Sequence, residues 1–88
     1  MIITEHESFR KAYQKRIVRN QNLAERTKEC IRMFVENPRS PLLGDHALSG
    51  KRSHLRAFSI TGNVRIVYFP ITEGHVLFLD IGTHPQVY

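Results

Sequence analysis

The sequence predicts an α+β domain in which a pair of helices packs on a small, mainly antiparallel sheet, in the order β-α-α-β-β-β. Three observations lead to this prediction. Two stretches with helical apolar periodicity come first, three strand-like runs joined by short turns come last, and 88 residues are enough for one domain, residues 1–88. A domain of this size buries only about 60–65% of its unfolded surface, so its core is modest and there is no room for a separate cofactor domain.

The first half of the chain is typical of a short strand, residues 1–3, followed by two helices. Thr4 and Glu7 have the spacing of a capping box, which predicts that the first helix begins there. The residue before a proline avoids the helical region, so Asn37 and Pro38 end the second helix. Two helices joined by a short loop should form an antiparallel hairpin. The predicted buried stripes are Phe9, Ala12, Tyr13 and Ile17, then Leu23, Thr27, Cys30, Ile31 and Phe34, with Asn20 or Asn22 as the second cap.

The second half is a polar loop, residues 38–53, followed by three strand-like runs that should form an antiparallel meander. The runs cover residues 55–60, 64–69 and 75–81. Gly62 and Asn63 are a tight-turn signal and predict a two-residue turn between the first two runs. In that register Arg56 and Arg65 project from the same face of the sheet. A slip of one residue would reverse this assignment.

Charge and cysteine content narrow the function classes. The chain carries 13 Lys and Arg against 8 Asp and Glu, a formal net charge of +5. This balance favours an anionic partner, either nucleic acid or an acidic protein segment. Cys30 is the one cysteine, so no internal disulfide can form, and the five histidines are too scattered to predict a metal site. Neither a secretory signal nor a membrane-spanning run is visible, so we expect a cytoplasmic protein with no membrane partner.

Four side chains can carry chemistry. His84 and Tyr88 follow an apolar strand at the very end of the chain, where residues are usually loosely held, so we expect this end to pack on the body of the protein. Histidine suits proton transfer because its unperturbed pKa is about 6.5. Arginine suits phosphate because its charge is fixed and its donors are paired. Together with His46 in the polar loop and Arg65 on a strand, they predict a surface that binds phosphate and transfers protons.

Four segments of the chain, taken in their order, match a known family: residues 37–38, then Asp45-His46-Ala47-Leu48-Ser49-Gly50, then Arg65-Ile66-Val67-Tyr68, then residues 80–88. In these segments the chain resembles the RelE superfamily of bacterial toxin ribonucleases, most closely its YafQ-like branch. The resemblance covers nearly the whole chain. It implies a RelE-like microbial RNase fold, a cognate antitoxin as partner, and cleavage of mRNA held in the decoding site of the ribosome.

The resemblance also implies a role for each site residue. His46 and His84 match histidines implicated in acid–base chemistry, Arg65 matches a strand arginine that steadies phosphate, and Tyr88 matches a terminal aromatic that orients the substrate. Attack of the ribose 2′-oxygen on the neighbouring phosphorus needs only proton transfer and charge stabilisation, so we expect no metal and no small-molecule cofactor. Four further residues are expected to contact RNA: Lys51, Arg52, His54 and Arg56.

Three positions depart from the resemblance. The YafQ-like branch can carry a further His and Asp where this chain has Ser59 and Asn63, and the family often has a second arginine where this chain has Asp80. These departures leave open an RNA-binding module with weakened catalysis. A ParE-like toxin that acts on DNA gyrase without catalysis is the other alternative, and the two histidines argue against it.

Overall fold

The protein contains three helices and one five-stranded mixed sheet, as described by a computed structural model covering residues 1–88. The sheet order is β1-β5-β4-β3-β2, with β1 parallel to β5 and the other pairs antiparallel. The predicted α+β class is confirmed, and β2 and α3 are elements that the sequence did not predict. The strands are β1 Ile2–Glu5, β2 His46–Ala47, β3 Arg56–Ser59, β4 Val64–Thr72 and β5 His75–Thr83, and the helices are α1 Glu7–Arg16, α2 Gln21–Glu36 and α3 His84–Val87.

The ends of α1 and α2 follow local hydrogen bonding. The side chain of Asn20 caps α2 by accepting the backbone N–H three residues later, and Asn37 ends that helix, as predicted. The predicted capping box of Thr4 and Glu7 is wrong, because Thr4 belongs to β1. The ring of His6 caps α1 instead, by accepting the backbone N–H two residues later. No helix is long and apolar enough to cross a membrane.

Residues 60–63 separate β3 from β4, and the backbone N–H of Ile60 donates to the carbonyl of Val64, so the turn itself has three residues and not the predicted two. The hydroxyl of Thr61 accepts the backbone N–H groups of Asn63 and Val64 at 3.2 and 3.0 Å. No residue of this turn has a positive φ, which a two-residue type I′ turn requires. The register is therefore shifted by one residue, and Arg56 and Arg65 lie on opposite faces of the sheet. The prediction that they share a face is wrong.

Apolar side chains cover both faces of the sheet. The larger cluster lies beneath α1 and α2, where the ring of Phe34 stacks on that of Phe58 with 4.3 Å between centroids. Cys30 belongs to this cluster, as predicted, and burial raises the pKa of its thiol. The smaller cluster lies on the other side of the sheet, which we call the open face. Its buried members are Leu48, Leu55, Ala57, Val67 and Val87.

Candidate active site

The C-terminal helix α3 is anchored on the open face. The side chain of Val87 is buried in the open-face cluster, with 4% of its surface exposed. The side-chain oxygen of Gln86 accepts the backbone N–H of Thr83 at 2.8 Å and so fixes the start of the helix. The end of the chain is therefore held on the body of the protein, as the sequence predicted.

Four of the predicted site residues form one group on this face. The rings of His84 and Tyr88 meet edge to face, with 4.4 Å between their centroids. Burial raises the pKa of the Tyr88 phenol, and the nearby cations Arg65 and Arg52 oppose that shift because they favour the phenolate. Tyr88 therefore keeps its proton near neutral pH, while 39% of its surface remains exposed to a ligand.

Arg65 has donors that the protein does not use. Its Nη1 donates to the Ser59 hydroxyl at 2.9 Å, whereas its Nε is buried and has no hydrogen-bond partner. A buried donor without a partner costs about 1–3 kcal/mol. A phosphate oxygen that draws the guanidinium outward would give this donor a partner. Arg65 therefore keeps a donor that an anionic ligand could satisfy.

His46 lies on the same face, two strands away from Arg65. It stands opposite Ala57, a member of the open-face cluster, and paired residues of neighbouring strands project to the same side. With strands about 4.8 Å apart and a rise of about 3.3 Å per residue, the Cα atoms of His46 and Arg65 are about 12 Å apart. Both side chains are long enough to approach one ribose–phosphate unit between them. The ring is exposed, and its Nδ1 lies 3.0 Å from the carbonyl oxygen of Gly44.

Of the four residues predicted to contact RNA, Arg52 and His54 lie on this face, and Lys51 adjoins Arg52 in the chain. Lys51 and Arg52 lie in the 3₁₀ turn Gly50–Arg52 that leads into β3, and Lys51 is exposed. The ring of His54 lies edge-on to Phe69, which packs against the open-face cluster. No group of three or more His, Cys, Asp or Glu side chains that could hold a metal ion is present.

The fourth of these residues, Arg56, faces the other way. Its Nε donates to one carboxylate oxygen of Asp45 at 2.7 Å, and the hydroxyl of Tyr68 donates to the other. The hydrogen bond to Asp45 raises the pKa of Arg56, and burial together with Asp45 raises the pKa of Tyr68. The expectation that Arg56 contacts RNA beside Arg65 therefore fails, because the shifted register ties Arg56 to the helix-covered face.

Two of the positions that depart from the resemblance have clear structural roles. Asp80 accepts a hydrogen bond from Arg16 at 3.0 Å, and the same Arg16 nitrogen donates to the carbonyl of Ile81. Where the resemblance implies a second arginine, this chain has a link between β5 and α1. Ser59 stands directly opposite Arg65 and holds its guanidinium. Sequence reasoning missed this role because it depends on the register, which the turn sets.

No family model and no curated protein matches the sequence. Solved structures do match it. YafQ from Escherichia coli strain BL21(DE3) is 19% identical with a TM-score of 0.78, over 98% of this chain and 96% of that one. A YoeB/ParE toxin from Agrobacterium tumefaciens is 20% identical with a TM-score of 0.77, over 96% and 99%. A copper-bound mutant toxin from Helicobacter pylori is 23% identical with a TM-score of 0.74, over 100% and 99%.

At these identities the likeness shows the fold. The chain shares the α+β fold of these toxins, which is the fold class that the sequence predicted. The chain is also similar to a chain of the E. coli DinJ-YafQ toxin-antitoxin complex, which is 17% identical with a TM-score of 0.77, over 98% of this chain and 94% of that one.

Proposed function

We propose that this chain is the toxin of a toxin–antitoxin pair and that it cleaves mRNA on the ribosome. The observation that supports the proposal is that His46, Arg65, His84 and Tyr88, from three separate parts of the chain, share the open face of the sheet. A surface with two imidazoles, an arginine with an unused donor and an exposed aromatic ring is suited to a nucleotide.

The proposed reaction is an internal transfer within the RNA. One of the two imidazoles takes the proton of the 2′-hydroxyl, whose oxygen attacks the neighbouring phosphorus. Arg65 stabilises the charge that develops on the non-bridging oxygens. The other imidazole protonates the 5′-oxygen as its bond to phosphorus breaks, which leaves a 2′,3′-cyclic phosphate and a 5′-hydroxyl. Tyr88 stacks on a base beside the scissile bond and orients it.

The charge of the chain supports anionic partners. The exposed side of α1 carries Arg10, Lys11 and Lys15, which could contact ribosomal RNA phosphates, and such binding would weaken steeply with salt. For the antitoxin we propose an acidic segment that folds as it covers the basic surface. The similarity to a chain of the DinJ-YafQ toxin-antitoxin complex supports an antitoxin partner. With these partners the protein would act in the cytoplasm.

Expression of the chain alone, followed by mapping of cellular mRNA ends, tests the proposal. We expect cleavage inside translated codons, and we expect His84→Ala to lower it by about 10²–10⁴-fold, the usual contribution of one acid or base. His75→Ala is the matched control, because His75 lies at the far end of β5 and should leave cleavage unchanged. Cleavage by His84→Ala at the parent rate would remove His84 from the mechanism.

The same experiment separates the alternative functions. Intact mRNA together with gyrase-dependent DNA damage would identify a toxin that acts without RNA catalysis. Intact mRNA without growth arrest would identify an RNA-binding module whose catalysis has decayed. Either result would refute the ribonuclease proposal.

A further inference from the structure

We infer that Asp45, Tyr68 and Arg56 form a clamp that positions His46 from the opposite face of the sheet. The three residues are positioning residues, since none of them lies on the open face where the substrate would bind. The inference rests on the role proposed for His46 in RNA cleavage.

His46 needs such support because its own strand is weak. β2 contains only two residues, both exposed, and a strand pairing of this length is marginal by itself. The single hydrogen-bonding contact of the His46 ring is to the carbonyl oxygen of Gly44, which is only two residues away. Neither feature fixes His46 relative to Arg65 and His84.

Asp45, the residue before His46, provides the fixed contacts that β2 lacks. The Asp45 side chain is 9% exposed, and each of its two carboxylate oxygens accepts one hydrogen bond, from Arg56 and from Tyr68. Hydrogen bonds to a charged group are among the strong ones in proteins. Since successive side chains of an extended chain point to opposite sides, fixing Asp45 on the helix-covered face directs His46 to the open face.

The partners of Asp45 are themselves rigid. The ring of Tyr68 lies edge-on to Phe34 at 5.0 Å and packs in the larger core cluster, so its hydroxyl has a fixed position. Arg56 stands opposite Ala47, the residue on the other side of His46. The clamp therefore holds the chain on both sides of the histidine.

Gly44 completes the arrangement. Its φ of 57° is left-handed, a conformation that glycine adopts without strain. This turn ends the 3₁₀ segment Pro41–Leu43 and leads the chain directly into Asp45. The backbone before the clamp is thus shaped to deliver the carboxylate to its two donors.

The test compares Tyr68→Phe and Asp45→Ala with the control Tyr13→Phe, in which a half-buried tyrosine outside the clamp loses its hydroxyl. One readout is the ring of His46 by NMR, which reports its order without any activity. The other is steady-state cleavage of mRNA on the ribosome, which gives kcat and KM. We expect increased disorder of the His46 ring in both clamp variants, and a fall of about 10–100-fold in kcat with little change in KM, because a misplaced catalytic group loses rate rather than binding.

Conservative replacement sharpens the test. Asp45→Asn keeps one acceptor, for the Arg56 Nε, and its NH2 group can donate to the Tyr68 oxygen, so it should restore part of the rate that Asp45→Ala loses. If the clamp variants fold and the His46 ring stays as ordered as in Tyr13→Phe, the clamp does not position His46 and the inference is wrong. If Asp45→Ala fails to fold, Tyr68→Phe decides the question, because it keeps the aromatic core. A parent protein that cleaves no RNA refutes the proposed function, whereas the NMR comparison still decides the clamp.

Discussion

Replacement of Arg65 with methionine should separate function from stability. The variant removes the buried Nε that has no partner, which returns about 1–3 kcal/mol, and it loses the hydrogen bond from Nη1 to Ser59, which is worth about 1–2 kcal/mol at a half-buried site. The two effects nearly cancel, so we expect the free energy of unfolding to change by no more than about 1 kcal/mol. RNA cleavage should nevertheless fall by about 10²–10³-fold, because the transition-state charge on phosphate loses its donor.

Arg16→Met is the matched control, since Arg16 is also an arginine with much of its side chain buried, but with its contacts satisfied. It donates to Asp80 and to the carbonyl of Ile81, and 25% of its side chain is exposed. Its removal should lower the free energy of unfolding by about 2–3 kcal/mol. Urea denaturation with an unchanged m-value measures both variants, and single-turnover cleavage measures the loss of function. If Arg65→Met destabilises the fold as much as Arg16→Met, Arg65 is a structural residue and the argument from its unused donor fails.

Three further predictions concern stability, measured by urea denaturation. Burial raises the pKa of Tyr68 above its ordinary value of 10.0, so the unfolded chain releases this proton at a lower pH than the folded protein does. Tyr68 should leave the free energy of unfolding unchanged below pH 10 and should lower it above pH 10 by up to about 1.4 kcal/mol per pH unit. Tyr68→Phe should remove that part of the pH dependence. Gly44→Ala should cost about 1–2 kcal/mol because φ at Gly44 is 57°, whereas Gly74→Ala, whose Cβ would meet open space, should change stability by less than about 0.5 kcal/mol. Val87→Ala should cost about 1–2 kcal/mol and also slow RNA cleavage, because α3 loses the side chain that anchors it. An equal cost for the two glycine variants, or full activity of Val87→Ala, would contradict the respective prediction.

The helical half of the fold is predictable because its signals are local. The apolar residues of α1 and α2 recur at helical spacing, and Phe9, Cys30 and Phe34 are buried where that spacing places them. Asn37 marks the end of α2 in the sequence itself, and Asn20 is one of the two caps that the sequence offered for its start. The start of α1 was missed because β1 runs through Thr4, and pairing of β1 with β5 joins residues more than 70 positions apart.

The sheet was predicted in outline but not in register. Strand positions follow from apolar runs, yet the register depends on the number of residues in one turn. The Thr61 hydroxyl accepts the backbone N–H of Val64, which in a two-residue turn would donate to the Thr61 carbonyl, and the sequence shows no pattern that reveals this side-chain bond. As a result Arg56 lies on the helix-covered face and not on the face predicted for it, whereas Arg65 lies on the open face. One hydroxyl therefore decides which arginine can face an RNA ligand.

The sequence predicted the two candidate histidines, but it did not predict the contacts that fix their positions. His84 follows β5 directly, so its place is nearly fixed by the strand end and by Val87. His46 sits in a loop of Pro, Gly and Ser, and its place depends on Asp45, whose partners are 11 and 23 residues away. Contacts of this range leave no periodic signal in the sequence.

The departures from the RelE-like pattern make the position of His46 more important. Neither the Ser59 hydroxyl nor the Asn63 amide takes up a proton near neutral pH, so neither can serve as a general base. With those positions unable to titrate, proton transfer in the proposed reaction is assigned to His46 and His84. The proposed reaction therefore needs both imidazoles at the correct distance from one phosphate. β5 positions His84, and Asp45 positions His46. A carboxylate on the helix-covered face of the sheet thus controls proton transfer on the open face.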